Sequence, residues 1–384
     1  ENDVLDKHYD EIIAEFMEVS LSSYGEDRIV RELGIVSSRA WPANRHVGGA
    51  AMKEVSEKKK TPESVVSPEL HLDRPISFEI KNPAPQPRGS GNWGETFFAN
   101  GLANALRRKG HHVGITTKAN WYDEREYGID LVLRRLDTPY TPQPDRACII
   151  WNIYGNDLTD AEIDSADHIF VASQIVAEQQ NKVLGPDRVS TLLQAFDADR
   201  MMPEGPSKHT NLLFVGNNHN KKHTRRSVEM SVKHAVDIDL FGAGWKRSKA
   251  SKYIRSQFLD NEKLAEYYRG AEAVLNDHSN GMGADGFVSN RIFDVLACGT
   301  AVVSDQINAL PKDLLEWVHQ YRSDDEFSNV IARALGETEA RKSERVEFTS
   351  YMREHHSFDQ RATKVIEAAR RAAPKRRVIT KLAG

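Results

Sequence analysis

Cysteine is nearly absent from this sequence: 384 residues contain two, Cys148 and Cys298. Each lies in an apolar stretch, and two distant thiols make neither a disulfide framework nor metal-ligand spacing, so both read as reduced core residues. No apolar run approaches the length of a membrane span, and the N-terminus lacks a basic-then-apolar leader. The expectation is a soluble, cytoplasmic protein, associated with membranes peripherally if at all. An excess of positive charge is also missing, since 52 basic residues against 56 acidic ones leave a net charge of −4. That balance excludes a general nucleic-acid binder, so any phosphate ligand has to be held by cations gathered locally. A hydrophobic content of 39% and a mean hydropathy of −0.57 suit a globular chain, and its length predicts two domains with separate cores.

Residues 1–46 read as a helical N-terminal extension, with Ile12, Phe16 and Val19 on one face, and residues 47–73, with Gly48-Gly49 and Lys58-Lys59-Lys60, as a linker. A start at Glu1 rather than Met predicts a fragment or trimmed chain. Residues 74–202 then alternate strand and helix as an α/β, Rossmann-like domain. Ile76 to Ile80 alternates like a strand, and Gly89-Ser90-Gly91-Asn92-Trp93-Gly94 matches G-x-G-x-x-G before a helix with Phe98, Leu102 and Leu106 on one face. A dinucleotide site also needs an acid at the end of the next strand; from Gly110 to Asn120 there is none, and Lys118 stands in its place. Nicotinamide chemistry is therefore not expected. Arg146 to Trp151 reads as a buried strand. Ligands of open α/β sheets gather beyond the carboxyl ends of strands, which puts Asn152, Tyr154 and Asp157 in position to face one. Asp157 is a candidate general base or a helix cap, and Glu95, at another helix start, competes for the catalytic role.

A second Rossmann-like domain is expected over residues 203–356. Leu212 to Val215 runs into Gly216-Asn217 and a basic cluster holding Lys221, Lys222 and Arg225, the order of a phosphate-binding turn. Ile238 to Phe241 leads to Gly242-Ala243-Gly244-Trp245, where the tryptophan either stacks on a ligand or packs in the core. Glu272 to Leu275 delivers Asn276, Asp277 and His278, the histidine being either a ligand contact or structural. Next comes Asp285-Gly286-Phe287-Val288-Ser289-Asn290-Arg291-Ile292-Phe293-Asp294-Val295-Leu296-Ala297-Cys298-Gly299, followed by the apolar run Ala301 to Val303. It reads as loop, helix, turn and buried strand. Ser289 or Asn290 caps the helix, its free N–H groups with Arg291 suit a diphosphate, and Asp294 lies one turn in, within reach of a ribose. The pairs Asp197/Asp199 and Asp237/Asp239 fall in a turn and at a strand start, and no metal site is expected from them. Residues 357–384 hold a last helix, with Val365, Ile366 and Ala369 as an apolar face, and a basic tail.

The stretch from Phe287 to Asp305, preceded in order by Phe214-Val215-Gly216-Asn217, Phe241-Gly242-Ala243-Gly244-Trp245 and Val274-Leu275-Asn276-Asp277-His278, resembles the donor-binding domain of GT-B glycosyltransferases of the family-4-like, spore-maturation CgeB-like group. The resemblance implies GT-B architecture, two Rossmann-like domains facing across a cleft, with the last helix returning to brace the first domain. It implies a metal-independent, retaining transfer of a sugar from a UDP- or GDP-linked donor, with no cofactor, to a glycan, lipid-linked or protein acceptor, as in polysaccharide biosynthesis. On that reading Gly216, Asn217, Lys222, Gly242, Gly244, Trp245, His278, Gly286, Phe287, Ser289, Asn290, Arg291 and Asp294 bind the donor; Asn92, Trp93, Gly94, Asn152 and Tyr154 face the acceptor; and Asp157, Glu95 and Asp285 are the catalytic candidates. Asp294 matches the family's ribose-binding acid. Asp285 stands one position further from it than the family's sugar-contacting acid does. An inert nucleotide-sugar-binding module and a GT-B nucleotide-sugar epimerase are the alternatives.

Overall fold

The computed structural model describes residues 74–85, 93–123, 128–218, 225–278 and 281–382. The N-terminal extension, the linker, Asn92 with the glycines before it, Lys221 and Lys222 lie outside the described residues.

Two six-stranded sheets, parallel throughout, carry the fold. The first takes β1 (Ser77–Asn82), β2 (His112–Thr117), β3 (Ile129–Arg134), β4 (Ala147–Asn152), β5 (His168–Val171) and β6 (Val189–Thr191) in the order β2-β1-β3-β4-β5-β6. The second takes β7 (Thr210–Val215), β8 (Asp239–Phe241), β9 (Ile254–Ser256), β10 (Ala271–Asn276), β11 (Ala301–Asp305) and β12 (Val318–Tyr321) in the order β12-β11-β10-β7-β8-β9. Central strands such as β3 and β4 are buried along their whole length, as helices on both faces of a parallel sheet require.

Local chemistry accounts for the helix boundaries. In α1 (Gly94–Arg108) the apolar stripe Phe98, Leu102 and Leu106 is buried, and beyond its end Gly110 takes φ +85°. A reciprocal capping box opens α2 (Asp160–Ser165): Glu162 N donates to Thr159 Oγ1 at 3.2 Å and Thr159 N donates to Glu162 Oε2 at 2.7 Å. Ser173 caps α3 (Gln174–Leu184) with its side chain alone, Val176 N donating to Ser173 Oγ at 3.2 Å. On the second sheet lie α4 (Arg226–Lys233), α5 (Leu264–Gly270), α6 (Asn290–Ala297) and α7 (Asp324–Leu335). Ile292, Phe293, Leu296 and Ala297 of α6 are all buried, and Gly299, at φ +75°, turns the chain into β11.

After α8 (Glu339–His356), α9 (Phe358–Leu382) crosses to the first sheet. Its Phe358, Ala362, Val365 and Ala369 share one buried cluster with Phe98, Leu102 and Trp151, each large side chain contributing about 1.5–3 kcal/mol by leaving water. The contact is close because α1 has glycine at its centre. A Cβ on Gly101 would lie 2.6 Å from the Phe358 ring, which instead packs edge-on to Phe98 at 4.7 Å.

Candidate functional site

Two neighbouring cavities open where the carboxyl ends of both sheets meet. Gly94, Phe98, Asn290 and Arg291 line both, so the start of α1 and the head of α6 form the partition.

The first cavity, of about 470 Å³, is floored by Gly216, Asn217, Gly242 and Ala243, and Asp294 lies on its wall. The turns after β7 and β8 are zipped together: Gly216 N donates to Phe241 O at 2.8 Å, Asn218 N to Ala243 O at 2.9 Å, and Ala243 N to the Asn217 side-chain oxygen at 2.9 Å. Only glycine permits this approach, because at φ +144° a Cβ on Gly242 would stand 2.1 Å from Gly216 O. Asp294, 7% exposed, accepts a hydrogen bond from Asn290 Nδ2 at 3.1 Å. Burial pushes its carboxyl up to about 7, against the opposing pull of Arg200 and Arg291; Asp197 adds to the rise. Asp197, on the same cavity, is likewise raised by burial, and Asp199 N donates to it at 3.1 Å.

Several donor-side residues sit differently from the expectation. Trp245 is 3% exposed, donates from Nε1 to Gly216 O at 2.8 Å and packs edge-on to Phe214; it lines neither cavity and is a core residue beneath the turn. Gly244 lines neither cavity and, at φ +85°, lies against Asn218 O. His278 is structural too: its Nδ1 pairs with Asp305 Oδ1 at 2.7 Å and its Nε2 accepts from Ser289 N at 3.1 Å. The acceptor role fixes the neutral tautomer with its proton on Nδ1, and it consumes the Ser289 N–H expected to be free for phosphate. Ser289 holds the cap position of α6 without a side-chain cap bond. Arg291 lines both cavities, but its guanidinium donates to Val215 O at 2.6 Å and lies over the Phe214 ring, bracing β7. Asp285, Gly286 and Phe287 line neither cavity, and Phe287 is fully buried.

The second cavity, of about 600 Å³, is lined by Trp93, Glu95, Lys118, Tyr154, Arg225 and Ser289 among others. Glu95 pairs with Arg135 at 3.0 Å, and Arg225 with Asp277 at 3.0 Å. Asp157 is not on its wall. Its Oδ2 accepts from Asp137 N at 2.9 Å and pairs with Arg134 at 3.3 Å, which is the work of a turn rather than of a base. Asn152 is 1% exposed and donates to Gly155 O at 2.7 Å, turned away from the expected acceptor position. Of the two Asp pairs, Asp197 lines the first cavity while its neighbour Asp199 pairs with Arg108 at 2.6 Å, and Asp239 pairs with Arg255.

Sequence reasoning missed Arg200, Gln257, Phe258 and Asn261, all on the first cavity. Arg200 Nη2 donates to Asn261 O at 2.6 Å, and the guanidinium lies 5.5 Å from the Phe97 ring centre. Its signal was faint: a cation beside the Asp197 turn, in the segment joining the two sheets.

Comparison with the curated proteins gives no significant sequence match. Among solved structures, sucrose-phosphate synthase from Thermosynechococcus elongatus superposes with a TM-score of 0.55 at 11% identity, covering 77% of this chain and 98% of that one. A glycosyltransferase from Rickettsia africae gives 0.54 at 12% identity, covering 76% and 97%. HepE from Anabaena, in complex with UDP and glucose, gives 0.52 at 9% identity, covering 76% and 100%. Residues 222–367 match the sequence profile of the family described as "Glycosyl transferase-like", and the part of the chain that carries the two sheets has the GT-B fold.

Proposed function

We infer that this protein is a nucleotide-sugar-dependent glycosyltransferase, holding the donor in the first cavity and the acceptor in the second. The observation that carries this reading is Asp294, a carboxyl with a raised pKa buried on the wall of a polar cavity beside the head of α6, where the two cavities meet. A donor diphosphate over the Asn290 turn would meet backbone N–H groups and the positive end of the helix, and its ribose would bond to Asp294. The departing diphosphate gains from donors already in place, and the hydroxyl of a glycan, lipid-linked or protein acceptor in the second cavity lies next to the reacting carbon. Glu95, on that cavity, is the remaining candidate base.

The resemblance of the second half's sequence to the family-4-like, CgeB-like group supports retention of anomeric configuration, and UDP- or GDP-linked donors. Local cations and the helix end provide the charge, so activity should survive EDTA with little gain from Mg²⁺ or Mn²⁺; loss on chelation with recovery on adding metal would end the metal-free reading. A thermal-shift panel of UDP, GDP, dTDP, ADP and CMP identifies the base, because a ligand bound by the native state raises its stability. Failure of all five would defeat the nucleotide assignment. One observation favours a second reading, an inert nucleotide-sugar-binding module: Asp285 and Asp157 both stand off the cavities. Tight binding of a nucleotide-sugar with neither transfer nor hydrolysis over a broad acceptor panel would establish it.

A further inference from the structure

The loop between β10 and α6 belongs by sequence to the second half, yet Phe287 at its end is fully buried in the core of the first. Its ring lies in one cluster with Val132, Ile150, Val171, Ala172 and Val176, all from the first half, and Met282 packs against the same cluster. Two backbone features secure the insertion. Ser173 Oγ donates to Asp285 O, and Gly286, at φ +74°, passes close to Ile175, whose Cδ1 would be 3.0 Å from a Cβ there. The exposed face of the same contact reaches the site, because Tyr154 meets Phe287 edge-on at 6.0 Å and also lines the second cavity with Ser289, Asn290 and Arg291.

We propose that Phe287 is a positioning residue: it pins the head of α6 into the first half, so that the donor-side turn and the Tyr154 wall of the acceptor cavity hold one fixed register. The proposal rests on the transferase reading only for its catalytic consequence. The physical reason is the shortness of the link. Ser289 and Asn290 follow Phe287 within three residues, so a ring locked among five core side chains leaves that turn little freedom to slide. On the other side, His278 holds Ser289 N at 3.1 Å, so the head of α6 is clamped from both halves.

Hydrogen exchange on the full chain without ligand tests the pin directly. Phe287→Ala should raise amide exchange by roughly tenfold or more on both sides of the contact together, in 153–156 and 172–177 of the first half and in 281–292 of the second, while β7 and β8 keep wild-type protection. Phe287→Leu, which refills most of the space, should restore protection in both. A rise confined to 172–177, a uniform rise, or no change would overturn the pin, since each describes ordinary core filling. If Phe287→Ala does not fold, Phe287→Val is read by the same criteria. Calorimetry with UDP, GDP and ADP, and nucleotide release from UDP-glucose, GDP-mannose and ADP-glucose, read the catalytic consequence. Kd should stay within about threefold while turnover falls roughly 10- to 100-fold, because misplacing groups by an ångström costs rate more than binding. Leucine should recover most of that turnover; equal losses of affinity and turnover, or loss of neither, would overturn the positioning role. If the wild type neither binds nor turns over these probes, the transferase reading fails, and the exchange result still decides the pin.

Discussion

The two cavities share a partition but differ in how their charges are settled. In the second, four of the charged wall residues are matched in ion pairs, Glu95 with Arg135 and Arg225 with Asp277. In the first, the carboxyls of Asp294 and Asp197 take hydrogen bonds from neutral donors, the Asn290 amide and the Asp199 N–H, and burial raises both pKa values. A protein that leaves buried carboxyls in that state sacrifices stability there, and such sacrifices concentrate where ligands bind. The second cavity reads as a neutralised, aromatic-walled surface, the first as a site waiting for hydroxyl donors.

The largest effect that would break this contrast is steric. Gly242→Ala forces the β7 and β8 turns apart against backbone, and should cost on the order of 3 kcal/mol in urea unfolding and abolish nucleotide binding. Gly94→Ala, on the partition with nothing within 4 Å of its Cβ, should change stability by no more than about 1 kcal/mol. Equal losses from the two substitutions would mean that the first floor is no more constrained than the partition.

Next comes Asp294→Asn. The folded carboxyl titrates near 7 against about 3.9 in the unfolded chain, so the native state holds a proton that the unfolded state has released between those values. Its contribution to stability is therefore greatest below the unfolded pKa, declines as pH rises towards 7 and is constant above, a span on the order of 4 kcal/mol. Asparagine does not titrate, so its melting temperature relative to wild type should climb from pH 4 to pH 7 and then level off. Nucleotide affinity of the wild type should strengthen between pH 6 and 8, as ribose hydroxyls donate to an ionised carboxylate. A pH-independent difference in melting temperature would remove Asp294 from the titration.

Arg200→Ala sharpens the same point with a smaller change. It removes the group that most lowers the Asp294 pKa, so the pH midpoint should move up while nucleotide Kd weakens by about tenfold, the value of a hydrogen bond to a charged group. An unmoved midpoint would show that Arg200 does not act on Asp294. The smallest effect is expected from Asp157→Asn, which should leave turnover within about twofold while lowering stability by about 1 kcal/mol, whereas Glu95→Gln, on the cavity wall, should reduce turnover further. The reverse order would return the catalytic role to Asp157.

Much of the fold was legible because it is local. The stripe Ile292, Phe293, Leu296 and Ala297 with Gly299 behind it, the Thr159 cap, and the apolar runs of β4 and β11 each declare themselves within one or two turns of chain. Less of the site was legible. Polar residues following strands are good candidates as a class, but Asn152, Asp157 and His278 had their capacities claimed by Gly155, Asp137 and Asp305. Trp245 was open to either of two readings, and the Gly216 carbonyl decided for the core.

The sequence by itself determined that two parallel sheets would form, where the glycine turns would fall, and that one acid would sit a turn inside the helix from Asn290, because periodicity, capping and the steric freedom of glycine act over a few residues. Tertiary structure alone decided which groups face the cavities. Arg200 and Asn261 reach the first cavity from segments sixty-one positions apart, and Phe287 leaves its own half to enter the other. Those outcomes depend on which hydrogen-bond partners and apolar pockets arrive from distant chain, and no local pattern encodes that.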